Sequence, residues 1–240
     1  MNKRKKLGQH YLIDIDTISK IIEIATIKKN ERVLEIGTGK GALTSELSKT
    51  EAQIEAYEID RKNYLFTKEK IRNIRSIRLH HKDAFKVNPQ FDVLVASLPY
   101  SRSSTFIEWL SKQDYDRVIV VLQEDFVRKI TSHPGTKNYR AISIISQISS
   151  QVDIKGRIGR SSFYPQPKVN SFIVMVKLKL RLSNFEILMI KKLFSLKRKK
   201  LKTALKNLDL NITYMTSEEL EQRIWLMPSD KIYEIVQRLN

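Results

Sequence analysis

Apolar positions change their period repeatedly along the chain. Ile15, Ile18, Ile21, Ile22 and Ile24 recur at helical spacing and predict a helix over 14–27. RVLEI (32–36), a short apolar run, predicts a buried strand, followed by a glycine-rich loop and a helix near 41–49. QIEAYEI (53–59), SIRLHH (76–81), FDVLVA (91–96) and DRVIVVLQ (116–123) predict further strands. A polar helix near 61–72 and another over 103–112 separate them. Strands joined through helices imply crossovers, hence a parallel sheet with helices on both faces. Apolar stretches near 151–158 and 170–180 predict strands added at one edge. After Arg181 the segments read as helices. TSEE (216–219) predicts a capping box, and Ser229 after Pro228 predicts the cap of the last helix. The pattern divides the chain into an α/β domain, 1–181, and a small all-helical domain, 182–240.

Composition narrows the chemistry. The 240 residues are 41% hydrophobic and 29% charged, an ordinary globular balance. No apolar run approaches the roughly 20 residues of a membrane span. The basic start MNKRKKLGQHYL has no apolar run behind it, which argues against a secretory signal. With no cysteine, thiolate chemistry and Cys-based zinc sites are excluded. His10, His80, His81 and His133 lack metal-ligand spacing, so no metal is expected. Catalysis must use oxygens, backbone groups, aromatics or a cofactor.

Charge adds a partner. The net charge is +18, and residues 154–208 hold fifteen Lys/Arg against one acid, Glu186. Four more bases lie in the first six residues. An excess this localised is the footprint of a polyanion, with Lys197, Arg198, Lys199, Lys200 and Lys202 as candidate RNA contacts.

The loop VLEIGTGKGALT (33–44) lies between a strand and a helix, the context in which glycines admit a ligand to the backbone. Gly37, Gly39 and Gly41 are spaced G-x-G-x-G, unlike the nicotinamide fingerprint. Glu35 would repel a pyrophosphate and better suits a cationic ligand or a bound amino acid. Glu58, ending the second strand, is placed to accept ribose hydroxyls. Asp83, after the third, can accept from an adenine amine. In this order they resemble the S-adenosylmethionine site of a class I methyltransferase, a Rossmann-like fold. SLPY (97–100), after the fourth strand, resembles the Asn/Asp/Ser-Pro-Pro-Tyr signature of enzymes that methylate exocyclic amines of nucleobases. There a polar side chain and a backbone carbonyl, here Ser97 and Leu98, accept the amine N–H bonds beside Pro99, and Tyr100 stacks on the base.

Together with LGQHYL (7–12), VLQEDFVRKI (121–130), PGTKNYRAISIISQ (134–147), FYPQPKVNS (163–171) and LFSLKRKKLKTAL (193–205), the chain resembles the rRNA adenine dimethyltransferase family over nearly its whole length. The resemblance implies cofactor contacts near His10 and Leu12, and Phe163 packed on the target base opposite Tyr100. It implies N6-methylation of adenines, two adjacent ones dimethylated, near the 3′ end of small-subunit rRNA, on the immature subunit, by a cytoplasmic monomer. The family's other branch acts on large-subunit rRNA; LGQH and the basic helix favour the small-subunit branch. Two positions depart from the family: Ser97 stands where Asn is usual, and Arg140 where Gly is usual. They leave open an rRNA-binding assembly factor with weak or lost catalysis. A small-molecule methyltransferase is disfavoured by the basic segment.

Overall fold

The computed structural model describes residues 9–239. Leu7, Gly8 and the basic residues 3–6 lie outside the described residues.

Among the described residues nine strands form two sheets. In chain order they are β1 (Tyr11–Leu12), β2 (Arg32–Ile36), β3 (Gln53–Tyr57), β4 (Ile77–His80), β5 (Val93–Ser97), β6 (Arg117–Gln123), β7 (Ser150–Ile158), β8 (Phe163–Tyr164) and β9 (Ser171–Leu178). Seven make one sheet in the order β4-β3-β2-β5-β6-β9-β7. From β4 to β6 the neighbours are parallel, whereas β9 pairs antiparallel to β6. Strands β2, β5 and β6 are almost wholly buried, which is why they read as continuous apolar runs rather than as alternation. The order reverses between β2 and β5, the switch point where doubly wound sheets bind ligands beyond the strands' carboxyl ends.

β1 and β8 form a separate antiparallel pair, with Leu12 opposite Phe163 and Tyr11 opposite Tyr164. Two-residue strands carry no readable period, so the sequence shows neither.

The helices are α1 (Ile15–Ala25), α2 (Ala42–Leu47), α3 (Arg61–Lys70), α4 (Ser103–Leu110), α5 (Glu124–Ile130), α6 (Ala141–Ser149), α7 (Asn184–Ser195), α8 (Leu201–Asn207), α9 (Ser217–Glu221) and α10 (Ser229–Gln237). Asp14 caps α1, accepting from the Thr17 amide, and Thr26 ends it in the left-handed region. Thr216 and Glu219 form the expected capping box, and Ser183 with Glu186 forms a second. The reading of Ser229 as a cap is corrected. Pro228 holds the extended N-cap position (φ −60°, ψ 158°), and Ser229 is already helical. Proline's fixed φ suits that entry, and its carbonyl accepts the Ile232 amide.

The chain divides into two compact units. The first runs through Phe106 and also takes Asp114–Glu124 and Val152–Leu178; the second takes Ile107–Gln113, Asp125–Gln151 and the chain from Lys179. The first is cored by Ile21, Leu47, Ile54, Val93, Val95, Ile119, Val121 and Phe163. Arg117 braces it, bonding Glu31 and the Ala25 and Thr26 carbonyls. In the second, Trp109, Tyr139, Ile190, Leu193, Leu205, Ile224 and Ile235 are buried. The Tyr139 hydroxyl donates to the Met227 carbonyl (3.1 Å), and its ring meets Phe194 edge-on. Among the described residues no helix is long and apolar enough to cross a membrane.

Candidate active site

A cavity opens in the first unit at the carboxyl ends of β2 and β5. Its walls are Gln9 to Tyr11, Ile36, Gly37 and Gly39, Tyr57 to Ile59, Lys82 to Phe85, Ser97 to Pro99, and Arg102. A recess beside it shares His10, Tyr11, Gly37, Gly39 and Ser97 and adds Leu12, Ile13, Thr38, Lys40, Ala42 and Leu43.

The glycine loop is shaped by two backbone bonds, one within it, from the Gly41 N–H to the Thr38 carbonyl (2.8 Å), and one to β3. Gly37 (φ +80°) donates its N–H to the Tyr57 carbonyl at 2.8 Å, tying the loop to β3. Gly39 (φ +55°) lies under the Tyr11 ring, where an added Cβ would come within 3.1 Å of Cδ1. Only glycine combines that φ with that approach. Gly41 sits deeper, at the N-cap of α2, and does not line the cavity.

Glu58 and Asp83 both reach the cavity wall. Glu58 is 4% exposed; one oxygen accepts the Gly39 N–H (2.8 Å) and the other the Asp60 N–H (2.7 Å). Burial raises its carboxyl above the usual range, against those two bonds. Asp83 opens a short 3₁₀ turn, Ala84–Lys86, and accepts the Phe85 amide. The sequence reading misses its other partner: Arg102 Nη2 bonds both carboxylate oxygens, at 2.8 and 3.0 Å. A carboxylate pair following two strands, beside apolar Ile59, Ala84 and Phe85, has the acceptor set that an adenosine's hydroxyls and amine need. The residues present therefore fit S-adenosylmethionine.

Glu35 differs from its expected place. It is fully buried and off the cavity wall, because β2 is covered on both faces and offers no solvent side. The Thr44 hydroxyl donates to Oε1 (3.0 Å), while Oε2 has no hydrogen-bond partner among the described residues. Burial, reinforced by the Glu58 charge, pushes its carboxyl up to about 8. An acid whose folded value is raised holds a proton in the native state that the unfolded chain has lost. Stability contributed by this group is therefore full below the ordinary carboxylate range. It falls, by at most about 1.4 kcal/mol per pH unit, until about pH 8. Glu35→Gln is expected to flatten that decline. Urea denaturation of both proteins at pH 5 and pH 8 checks it, and parallel declines would contradict it.

Ser97 ends β5 half-buried on the cavity wall. Leu98 beside it is buried, and Pro99 turns the chain into the 3₁₀ segment Tyr100–Arg102. The Tyr100 hydroxyl is 2.9 Å from the Ser171 hydroxyl, and its ring stacks on His10 (5.2 Å, 30°). His10 Nδ1 lies 2.6 Å from the Pro165 carbonyl oxygen. Leu12 lines the neighbouring recess. Phe163 is corrected. It is 2% exposed and packs in the core, while Tyr164 points outward. Strand alternation forces one of the two inward, and Leu12 across the pair holds Phe163 there. The ring against Tyr100 is that of His10.

In the second unit, Arg140, Lys191 and the chain from Phe194 to Lys199 line one basic recess. Lys137, Arg140, Lys197, Arg198 and Trp225 line another. Lys197 donates to the Tyr139 carbonyl, and burial, then the Arg140 and Arg198 charges, lower its ammonium below the usual range. Lys200 and Lys202 both bind Glu221, whose carboxyl they hold down at about 2. Two of the five candidate RNA contacts thus carry an internal counter-charge, as does Lys191, paired with Glu108 at 3.0 Å, and Lys137 and Arg140 join the other three. Among the described residues no group of three His, Asp or Glu could hold a metal ion.

The strand order and the carboxylates at the ends of β3 and β4 are those of the class I methyltransferase fold. The family model "Ribosomal RNA adenine dimethylase" matches residues 1–240. A probable ribosomal RNA small subunit methyltransferase A of Pyrococcus abyssi is 38% identical over 205 residues, 84% of this chain and 75% of that one. The ribosomal RNA small subunit methyltransferase A of Mycoplasma mobile is 34% identical over 215 residues, covering 86% and 84%. Among solved structures, a dimethyladenosine transferase from Plasmodium falciparum superposes with a TM-score of 0.79 at 25% identity, covering 95% of this chain and 97% of that one. The 23S rRNA methyltransferase ErmE shares the fold (TM-score 0.63, 23% identity, 95% and 99% covered). The chain belongs to the ribosomal RNA adenine dimethylase family.

Proposed function

We propose that the protein transfers methyl groups from S-adenosylmethionine to N6 of adenines in small-subunit rRNA, two adjacent adenines becoming dimethylated. The observation carrying this is one cavity that joins the Glu58 and Asp83 carboxylates to Ser97, Leu98 and Pro99. An RNA-binding protein without catalysis has no use for that arrangement. The printed names of the relatives favour the small subunit over the large one.

When bound, S-adenosylmethionine supplies a sulfonium methyl, an electrophile that needs no activation. The chain's task is to prepare the nucleophile. An adenine N6 lone pair is delocalised into the ring. The Ser97 hydroxyl oxygen and the Leu98 carbonyl accept its two N–H bonds in the first transfer, and the one that is left in the second, and pull the nitrogen toward tetrahedral geometry, freeing the lone pair; the methylated nitrogen then releases one proton to solvent. Tyr100, fixed through Ser171, offers the extruded base a face once His10 yields it. Glu58 accepts from the ribose hydroxyls, and Asp83 from the cofactor's adenine amine.

The test is mass spectrometry of small-subunit rRNA from immature subunits incubated with S-adenosylmethionine, with and without the protein. Dimethyladenosine is expected in the treated sample only; no new methylation would overturn the reading. The basic recess makes a separate prediction. Replacing Arg140, Arg198 and Lys199 by alanine should weaken RNA binding and flatten the log affinity–log salt slope by about 2 to 3. The Lys200→Ala/Lys202→Ala protein should lose less than half of that, since Glu221, bound to both, already offsets one of their two charges. Filter binding from low to high salt compares them.

A further inference from the structure

The Asp83 carboxylate does not face the cavity alone. Arg102 shares its wall, and Arg102 Nη2 spans both carboxylate oxygens. The guanidinium carbon lies 4.7 Å from the Phe85 ring centroid, so the group is held by stacking as well as by charge. Phe85 is itself tilted against Phe106, a fully buried ring. An ionised carboxylate offers about four acceptor directions. The two bonds from Arg102 and the one from the Phe85 amide account for three, two on Oδ1 and one on Oδ2. What remains, on Oδ2, matches a single N–H from an amine.

We propose that Arg102 is a positioning residue for the cofactor's base: it orients the Asp83 carboxylate so that its remaining acceptor selects a 6-amino purine over a 6-oxo purine. The inference rests on the reading of this cavity as an S-adenosylmethionine site. The physical logic is asymmetric. A carboxylate free to rotate can meet an amine in several ways and can also draw in water. One pinned on three sides presents a fixed acceptor, and a 6-oxo group there sets acceptor against acceptor. A site built around a fixed hydrogen bond discriminates strongly, because the wrong ligand leaves a buried polar group unpaired.

Calorimetry with S-adenosylhomocysteine and S-inosylhomocysteine tests this on the wild-type, Arg102→Met and Asp83→Asn proteins. Arg102→Met is expected to weaken S-adenosylhomocysteine binding about tenfold and S-inosylhomocysteine binding less than twofold. In the Asp83→Asn background the same replacement is expected to change S-adenosylhomocysteine binding less than twofold, since the carboxylate it orients is gone. Unchanged affinity in Arg102→Met, or equal loss for both ligands, would overturn the inference, because damage to the loop does not distinguish the two bases. Circular dichroism checks folding. Arg102→Lys keeps the charge with a different donor geometry and supplies the same comparison if the methionine variant does not fold. Its expected loss is about threefold for the amino ligand alone. A wild-type protein that binds neither ligand brings down the cofactor reading itself, and this inference with it. Wild-type binding without an Arg102 effect brings down the inference only.

Discussion

Ser97→Ala is expected to methylate small-subunit rRNA about a hundredfold more slowly than the wild type at saturating S-adenosylmethionine, the usual cost of losing one preorganised polar partner of the reacting group. Ser97 ends β5 on the cavity wall, with its strand position fixed by pairing to Val121 of β6. Its loss leaves the Leu98 carbonyl as the one remaining acceptor, so the amine keeps more of its planar, conjugated geometry. The effect belongs to turnover, because the hydroxyl acts on the nucleophile. Cofactor affinity should change only a few-fold. Single-turnover kinetics with calorimetry separates the two, and a Ser97→Ala enzyme as fast as wild type would remove the hydroxyl from the mechanism. Ser97→Asn gives the complementary measurement. If wild type is inert and the asparagine variant active, the serine marks a protein that binds rRNA without methylating it.

Glu58→Gln is expected to weaken S-adenosylhomocysteine binding more than a hundredfold, about 3 kcal/mol. Both oxygens of Glu58 accept backbone N–H groups, from Gly39 and Asp60. Glutamine must turn an amide donor toward one of those donors. The Gly37 bond to the Tyr57 carbonyl still ties the loop to β3, but the Gly39 or the Asp60 N–H loses its acceptor, and the ribose loses a charged acceptor at the same time. A fall in unfolding free energy of about 1–3 kcal/mol should accompany this, because a buried N–H is left unpaired. Calorimetry and urea denaturation on the same preparation read both. Binding within tenfold of wild type would show that the carboxylate serves the loop and not the ligand.

The parts of the site legible in the sequence are those set by strand ends. Glu58 and Asp83 follow segments whose length fixes where a parallel strand stops, and the three glycines mark the turn from β2 into α2. Partners distant in sequence were not legible. Arg102 reads as a polar loop residue until the fold sets it against Asp83, and Glu221 is an ordinary helix-end acid until it meets Lys200 and Lys202. Phe163 shows a different limit. In a two-residue strand the residue types do not say which side faces inward, and here the core takes Phe163 and leaves Tyr164 outside. Glu35 marks a third limit: an acid beside a ligand loop invites a ligand role, whereas a strand covered on both faces has only protein to offer it.

The division into two units sorts the chain's natural fluorophores. Both tryptophans, Trp109 and Trp225, belong to the second unit, whereas the cavity of the first is lined by the rings of His10, Tyr11, Tyr57 and Phe85 and by no tryptophan. Selective tryptophan excitation therefore watches the basic helical unit from within an unlabelled protein. Comparing that signal with far-ultraviolet dichroism during denaturation reveals directly whether the two units melt as one cooperative body or in succession.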